Sequence, residues 1–246
     1  MTETDKLFEA RIADCVRLGE KRPAFLGFLD LSEHADAEDI LRRLHCSGHR
    51  FFGGFPEAER TLLGVFPEYI DPVDEEFPLS ALTVRFRKQD TLKHSDFLGA
   101  FLAQGVVRSA LGDILIEPGR AVLFVKAELV PHLVSVQKIG RVGVSVEEGF
   151  ADPLPAAHSF QSVSGVIASA RLDCFVAFLA SVSREKASQM IASGFVSVNH
   201  RETLSGAKLL AEGDVISIRR VGRFVFDAFG QRTKKGRLSI QCRKYI

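Results

Sequence analysis

No apolar run in this sequence is long enough to cross a bilayer. Residues 121–125, among the longest, fall far short of the roughly 20 residues a spanning helix needs. The first ten residues are polar and mixed in charge, with no apolar export-signal core, so nothing is expected to direct the chain out of the cytoplasm. Cysteine is scarce. Cys15, Cys46, Cys174 and Cys242 lie scattered without a Cys-x-x-Cys pair, which suits free thiols in a reducing compartment and excludes a disulfide framework. No GxxxxGKS loop is present, so nucleotide hydrolysis is not indicated. Net charge is also nearly absent, at +1.

What is present is 246 residues, 46% hydrophobic and 26% charged, a balance that fits two or three small soluble domains. The neutral total hides an asymmetry. Residues 160–246 hold 14 Lys and Arg against 6 Asp and Glu, a net of +8, whereas residues 1–159 hold 18 against 25, a net of −7. An acidic front and a basic back point to a polyanion partner for the back; the alternative is a basic surface kept for solubility.

The acidic segment, 7–77, carries helical spacing over 7–19 and 38–46, and a short strand at 51–55 that runs into the Gly53-Gly54 bend. Residues 79–148 follow the order β-α-β-β-α-β: strand 82–87, helix 94–107, strands 113–116 and 120–126 joined at Pro118-Gly119, helix 128–136 and strand 141–146. That is the ferredoxin-like order of many RNA-binding (RRM-like) modules. Alternation puts Leu82, Val84 and Phe86 on one face and Arg85 and Arg87 on the other; Leu123 and Val125 likewise oppose Arg120, Phe124 and Lys126. With helices over the apolar face, the open face presents Arg85, Arg87, Arg120 and Lys126 around Phe124. Such a group can hold a nucleic-acid backbone and stack one base, or it is an ordinary solvated sheet face. A Pro/Ala stretch from Ala151 to Ala157 reads as a stiff linker. The expected fold is therefore α+β, with an acidic α/β subdomain at 1–77, a ferredoxin-like domain at 78–150, a linker at 151–163 and a basic domain at 164–246.

In the basic domain Arg171-Leu172-Asp173 opens a helix whose Leu172, Phe175, Val176 and Leu179 form one apolar stripe. Ser183 offers an N-cap to a second helix, 184–193, with Ala187, Met190 and Ile191 inward and Gly194 at the left-handed C-terminal position. A strand at 195–198, turns at Asn199-His200 and Gly213-Asp214, and a strand at 215–218 follow. Arg184 and Lys186 stand at the N-terminus of the second helix, where free N–H groups also favour a phosphate; taken alone they are surface cations of a helical hairpin.

The string Arg171-Leu172-Asp173, Ser183-Arg184-x-x-Ala187-x-x-Met190-Ile191-x-x-Gly194-x-Val196-x-Val198-Asn199, Lys208 and Gly213-Asp214 closely resembles the S4 domain of ribosomal proteins, tyrosyl-tRNA synthetases, pseudouridine synthases and heat-shock ribosome factors. The resemblance implies RNA-facing or loop-shaping roles for Arg171, Asp173, Ser183, Arg184, Lys186, Asn199 and Lys208, with Asp173 orienting arginines. Upstream, Phe51-Phe52-Gly53-Gly54-Phe55-Pro56-Glu57-Ala58-Glu59-Arg60, then Thr91-Leu92-x-His94-x-Asp96-Phe97-Leu98-Gly99 and Gly105-x-x-Arg108-x-x-x-Gly112-Asp113-Ile114, resemble signatures of the YlmH family. Together these stretches cover nearly the whole chain in that family's order. The resemblance implies a non-catalytic protein that binds structured rRNA or tRNA on the large ribosomal subunit. Family members are linked to rescue of stalled subunits and, by genomic neighbourhood, to cell division. A cytoplasmic monomer is expected, with no cofactor, no metal and no membrane partner.

Other readings compete. Arg-Leu-Asp also surrounds the catalytic aspartate of pseudouridine synthases, yet here it opens the S4-like helix and no separate catalytic domain follows. His45-Cys46-x-x-His49 offers three zinc ligands but not the fourth of a structural site. His94, Ser95 and Asp96 are sequence neighbours, the wrong arrangement for a triad. Asp113 reads as a turn residue. A protein-binding scaffold linked to cell division is the remaining class.

Overall fold

In the computed structural model, which describes residues 3–233 and 236–246, the α+β chain separates into two units, Met1–Ala157 and His158–Ile246. The first unit begins with α1 (Glu3–Gly19), β1 (Ala24–Leu29), α2 (Leu31–Arg43), β2 (His49–Phe52) and β3 (Thr61–Val65). α2 starts earlier than apolar spacing alone suggests because Asp30 and Glu33 close a capping box, with Asp30 accepting the Ser32 and Glu33 N–H groups at 2.9 Å. The strands pair antiparallel in the order β1-β3-β2.

The same unit continues with β4 (Leu79–Arg85), α3 (His94–Ala103), β5 (Leu111–Glu117), β6 (Arg120–Lys126), α4 (Val130–Leu133), a small hairpin of β7 (Lys138–Ile139) and β8 (Val142–Gly143), and β9 (Ser145–Glu148). Its sheet runs β5-β6-β4-β9, every neighbouring pair antiparallel.

Strand alternation assigns the two faces of that sheet to different cores. Leu82, Val84, Leu123 and Val125 pack with Phe97, Phe101 and Leu133 from α3 and α4. Ala81, Val122 and Phe124 pack with Phe28, Phe55, Leu62, Phe66 and Phe77 from the preceding segment. The three-stranded sheet is covered on its far side by Ile12 and Cys15 of α1 and Ala37, Ile40 and Leu41 of α2. The unit is therefore layered as helices, sheet, sheet, helices, with a phenylalanine-rich seam between the sheets.

One expectation is corrected here. The second face of the middle sheet is not open: Phe124 is 1% exposed and stacks on Phe55 with ring centroids 5.0 Å apart. The three-stranded sheet and the four-stranded sheet that follows it both lie within the first unit. The stretch read as a linker, 151–163, is also divided. Arg120 donates to the carbonyls of Ala151 (2.8 Å) and Pro153 (2.6 Å), Leu154 and Ala157 pack against the phenylalanine seam, and Phe160 already lies in a strand of the second unit.

The second unit contains β10 (Phe160–Ile167), α5 (Leu172–Leu179), α6 (Arg184–Ala192), β11 (Val196–Val198), β12 (Arg201–Glu202), β13 (Val215–Ile218), β14 (Gly222–Arg232) and β15 (Leu238–Tyr245). Its six-stranded sheet has the order β10-β15-β14-β13-β11-β12. Leu172, Phe175, Val176 and Leu179 of α5 and Ala187 and Ile191 of α6 bury the expected stripes against Val196, Ile216, Phe224, Phe226 and Ile240 of the sheet. Among the described residues no helix is long and apolar enough to cross a membrane.

The seam admits no extra atoms at Gly54, whose φ is +99° and whose added Cβ would collide with the Phe124 ring. Gly54→Ala should therefore destabilise the first unit by roughly 2–4 kcal/mol, from strain plus overpacking. Chemical denaturation followed by circular dichroism checks this, and a midpoint equal to wild type would show that the seam yields.

Candidate nucleic-acid interface

The start of α5 is fixed by backbone bonds from outside the helix. Leu172 N–H donates to the Lys208 carbonyl (2.8 Å), Asp173 N–H to the Gly206 carbonyl (3.1 Å) and Leu210 N–H to the Ala170 carbonyl (3.0 Å). The segment carrying Lys208 is thereby held against Arg171 and Asp173. α6 starts where Ser183 Oγ accepts the Lys186 N–H at 3.2 Å. The apolar stripes then bring the two helix starts together.

Asp173 sits between them, its side chain only 5% exposed. Its carboxylate accepts Arg171 Nε (3.2 Å) and Nη2 (3.0 Å), and Arg184 Nε and Nη2 (both 3.0 Å). The two arginine side chains remain 40% and 54% exposed. Each guanidinium gives its Nε and Nη2 edge to the carboxylate and leaves three of its five N–H donors over. Burial alone would raise the Asp173 carboxyl, but hydrogen bonds from Arg171, Arg184 and Cys174 together outweigh it and hold the group below the ordinary carboxylate value.

The remaining residues of the expected set divide into exposed cations and scaffolding. Lys186 and Lys208 are exposed, and no described carboxylate pairs with either. Asn199, at φ +50°, is committed to the fold: its Nδ2 donates to Asp214 (2.7 Å) and its Oδ1 accepts the Val215 N–H (2.8 Å). It shapes the turn, as does Asp214, which also accepts the Ala211 N–H at 2.8 Å.

The cations of the middle sheet are arranged differently. Arg85 pairs with Glu147 (2.6 Å), Arg87 with Asp90 (2.8 Å), Arg120 with Glu117 (2.6 Å) and Lys126 with Glu128 (3.8 Å). Arg120 is only 14% exposed, and Phe124 presents no ring to a base. The expected cluster of four cations around one aromatic is therefore not assembled, because residues distant in sequence cover the aromatic.

Arg60 and Arg108, which sequence reasoning left without a role, and Asp113, which it read as a turn residue but which lies in β5, form a structural lock. Arg60 donates to the carbonyls of Leu111 (3.0 Å), Phe28 (2.9 Å) and Arg108 (3.3 Å). Arg108 donates to the Leu111 carbonyl (2.8 Å), and Asp113 accepts the N–H groups of Glu59 (2.7 Å) and Arg60 (3.2 Å). Burial pushes the Asp113 carboxyl up and the Arg60 and Arg108 guanidinium values down. Gly112 admits the same closeness: an added Cβ would lie 2.7 Å from the Phe28 ring. The signal was the paired signatures ending in Glu59-Arg60 and Gly112-Asp113, which join the two sheets. His49 is used locally, its Nδ1 2.9 Å from the Cys46 carbonyl and its Nε2 3.7 Å from Glu38. Among the described residues no three His, Cys, Asp or Glu side chains are grouped to hold a metal.

Fold and site define the class: an α+β protein of two units, the basic one carrying guanidinium groups braced on a buried carboxylate. A family model described as "Putative RNA-binding domain in YlmH" matches residues 72–151. The chain is 32% identical over 191 residues to the ribosome-associated protein quality control protein P2 of Bacillus subtilis (strain 168), covering 76% of this chain and 74% of that protein. The solved structure of the cell division protein YlmH from Streptococcus pneumoniae shares the fold, with 22% identity and a TM-score of 0.52 over 61% of this chain and 93% of that one. The chain belongs to the YlmH family.

Because the folded Asp173 carboxyl lies below its unfolded value, its contribution is fully present above the ordinary carboxylate pKa of about 4 and is lost as pH falls through the folded value. Asp173→Asn should lower stability at pH 7 and narrow its gap to wild type as pH falls towards 3. Parallel denaturation profiles for the two proteins across that range would refute the bracing role.

Proposed function

We propose that this protein is a cytoplasmic, monomeric, non-catalytic RNA-binding protein. It grips structured ribosomal or transfer RNA on the large ribosomal subunit through an S4-type module at 164–246. The carrying observation is the buried Asp173 carboxylate that holds Arg171 and Arg184 side by side while both remain about half exposed. A polyanion meets two pre-oriented guanidinium groups there, with Lys186 and Lys208, which no described carboxylate pairs, as further exposed charges. Ser183 and Asn199 set the backbone that presents this group. The name of the Bacillus subtilis relative supports a ribosomal partner and a role in ribosome-associated quality control, of which rescue of stalled subunits is the form proposed here.

Residues 78–150, whose strand order β5-β6-β4-β9 suits a ferredoxin-like domain, supply a weaker contact. That contact runs along the rim through Arg85, Arg87 and Lys126, since the sheet face behind them is filled by the phenylalanine seam. Burial of Asp173 between two guanidinium groups disfavours the pseudouridine synthase alternative, which needs that carboxylate at a base.

Arg184→Ala should weaken co-sedimentation with large ribosomal subunits purified from Bacillus subtilis by roughly tenfold to a hundredfold, the equivalent of ~1.5–3 kcal/mol for a charge-assisted hydrogen bond. The Arg85→Ala, Arg87→Ala double variant should lose less. Subunit binding by Arg184→Ala at the wild-type level would remove the S4-type module as the main contact, and a change in RNA mass after incubation would restore the enzyme reading.

A further inference from the structure

The four-stranded sheet of the first unit gathers at one end a set of cations that the fold does not use. β4 ends at Arg85, which stands opposite Arg120, the first residue of β6, and opposite Ser145, the first of β9. β5 ends at Glu117, also opposite Arg120. Residues 86–93 leave the sheet from this end, and the β7–β8 hairpin arrives at it. The Val144 N–H, donating to the Gln137 carbonyl (2.9 Å), closes that hairpin one residue before Ser145. Lys88 and Lys93 lie on the departing segment, Lys138 and Arg141 on the arriving hairpin.

Both segments are anchored. The Phe86 N–H donates to the Gly119 carbonyl at 3.0 Å, and a Cβ added to Gly119 would lie 2.8 Å from Lys88 Cγ, so the segment sits tight against the β5–β6 turn. Phe86 and Leu92 pack into the helix-side core on either side of Lys88 in sequence. In the hairpin Ile139, 0% exposed, enters the same core between Lys138 and Arg141, and Gly140 turns the chain at φ +58°. β7 lies against α3, at whose start Asp96 accepts the Lys93 N–H at 2.8 Å. Apolar side chains and backbone bonds thus supply the support, and the charges contribute nothing to it.

The acids at this end are already committed. Glu147 holds Arg85, Asp90 holds Arg87, Glu117 holds Arg120, and Asp96 caps α3. Lys88, Lys93, Lys138 and Arg141 are exposed, and no described carboxylate pairs with any of them. Within residues 1–159, whose net charge is −7, four unbalanced cations at one end of a sheet are a local reversal of sign. All four fall inside residues 72–151, the stretch matched by the RNA-binding family model.

We propose that this end of the sheet, residues 86–93 together with the β7–β8 hairpin, is the surface through which the first unit holds the phosphodiester backbone of RNA. It continues the contact of Arg85 and Arg87 round the end of β4. Three of its four cations are lysines, which meet phosphate as point charges and carry no sequence information. The proposal rests on the RNA-binding reading above and gives its weaker contact a defined surface. Two tethered contacts raise affinity when both can engage one RNA.

The test uses the full chain carrying Lys88→Ala, Lys93→Ala, Lys138→Ala and Arg141→Ala. Binding to large ribosomal subunits purified from Bacillus subtilis is titrated over a range of salt concentrations, beside an Arg171→Ala, Arg184→Ala variant. An unchanged circular dichroism melt establishes that each variant folds, and glutamine replaces alanine at the four positions if the melt drops. The four-cation variant should bind about ten- to a hundredfold more weakly at low salt. Its plot of log affinity against log salt should flatten by roughly 1–2 units of slope, as expected when about two phosphates lose their cations. Affinity and slope equal to wild type, with the arginine-pair variant still impaired, overturn this proposal and leave the RNA reading standing. Loss in the four-cation variant alone upholds this surface and removes the S4-type module as the main contact. Wild-type binding by both variants overturns the RNA reading itself.

Discussion

The structure of the basic unit turns on one carboxylate shared by two guanidinium groups. Arg171 precedes α5 and Arg184 opens α6, and without a counter-charge their proximity would be repulsive. Asp173, 3% exposed, supplies that counter-charge from inside the helix hairpin. The cost of burying it is offset by four N–H contacts. The arrangement is asymmetric: the acid is hidden and the cations face water. A ligand therefore meets net positive charge in a fixed geometry, and the side-chain entropy that free arginines would lose on binding is already spent.

A different constraint organises the first unit. Its two sheets press Phe28, Phe55, Phe66, Phe77 and Phe124 into one seam, and the seam leaves polar backbone at its edge that must be satisfied. Arg60 and Arg108 satisfy it by donating to carbonyls, and Asp113 by accepting N–H groups. Charged residues at these signature positions are thus structural, whereas in the second unit Arg171 and Arg184 stay partly exposed on a buried Asp173. The family model over 72–151 describes an RNA-binding domain, so whatever surface of that stretch meets RNA lies outside the seam.

Legibility in the sequence followed the reach of each signal. The helices of the basic unit were readable because their stripes are local and continuous, and the caps at Ser183 and Gly194 agree with them. β1 and β3 went unread. Both lie between α1 and α2 on one side and the seam on the other, so Ala24–Leu29 and Thr61–Val65 are apolar on both faces and show no alternation. β10, β14 and β15 were also missed, since serine, glycine and glutamine break their outward pattern. Phe124 illustrates the limit most clearly. Alternation put it on the correct face, but what covers that face comes from Phe28 and Phe55, far away in sequence. The pairing of Arg171 and Arg184 with Asp173 was legible only through resemblance, because no spacing rule connects residues on two different helices.

The charge asymmetry acquires a physical meaning once partners are assigned. In the first unit Arg17, Arg42, Arg43, Arg50, Arg85, Arg87 and Arg120 are each tied to a neighbouring carboxylate, within a stretch whose net charge is negative. Such pairs present little field beyond a Debye length of about 8 Å at physiological salt. In the second unit Lys186, Lys208, Arg232 and Arg237 have no described carboxylate partner, within a stretch of net +8. The net charge of the second unit is therefore carried in part by cations without a described partner, whereas many cations of the first are neutralised locally. The neutral total of +1 is then the sum of two opposed net charges, −7 and +8.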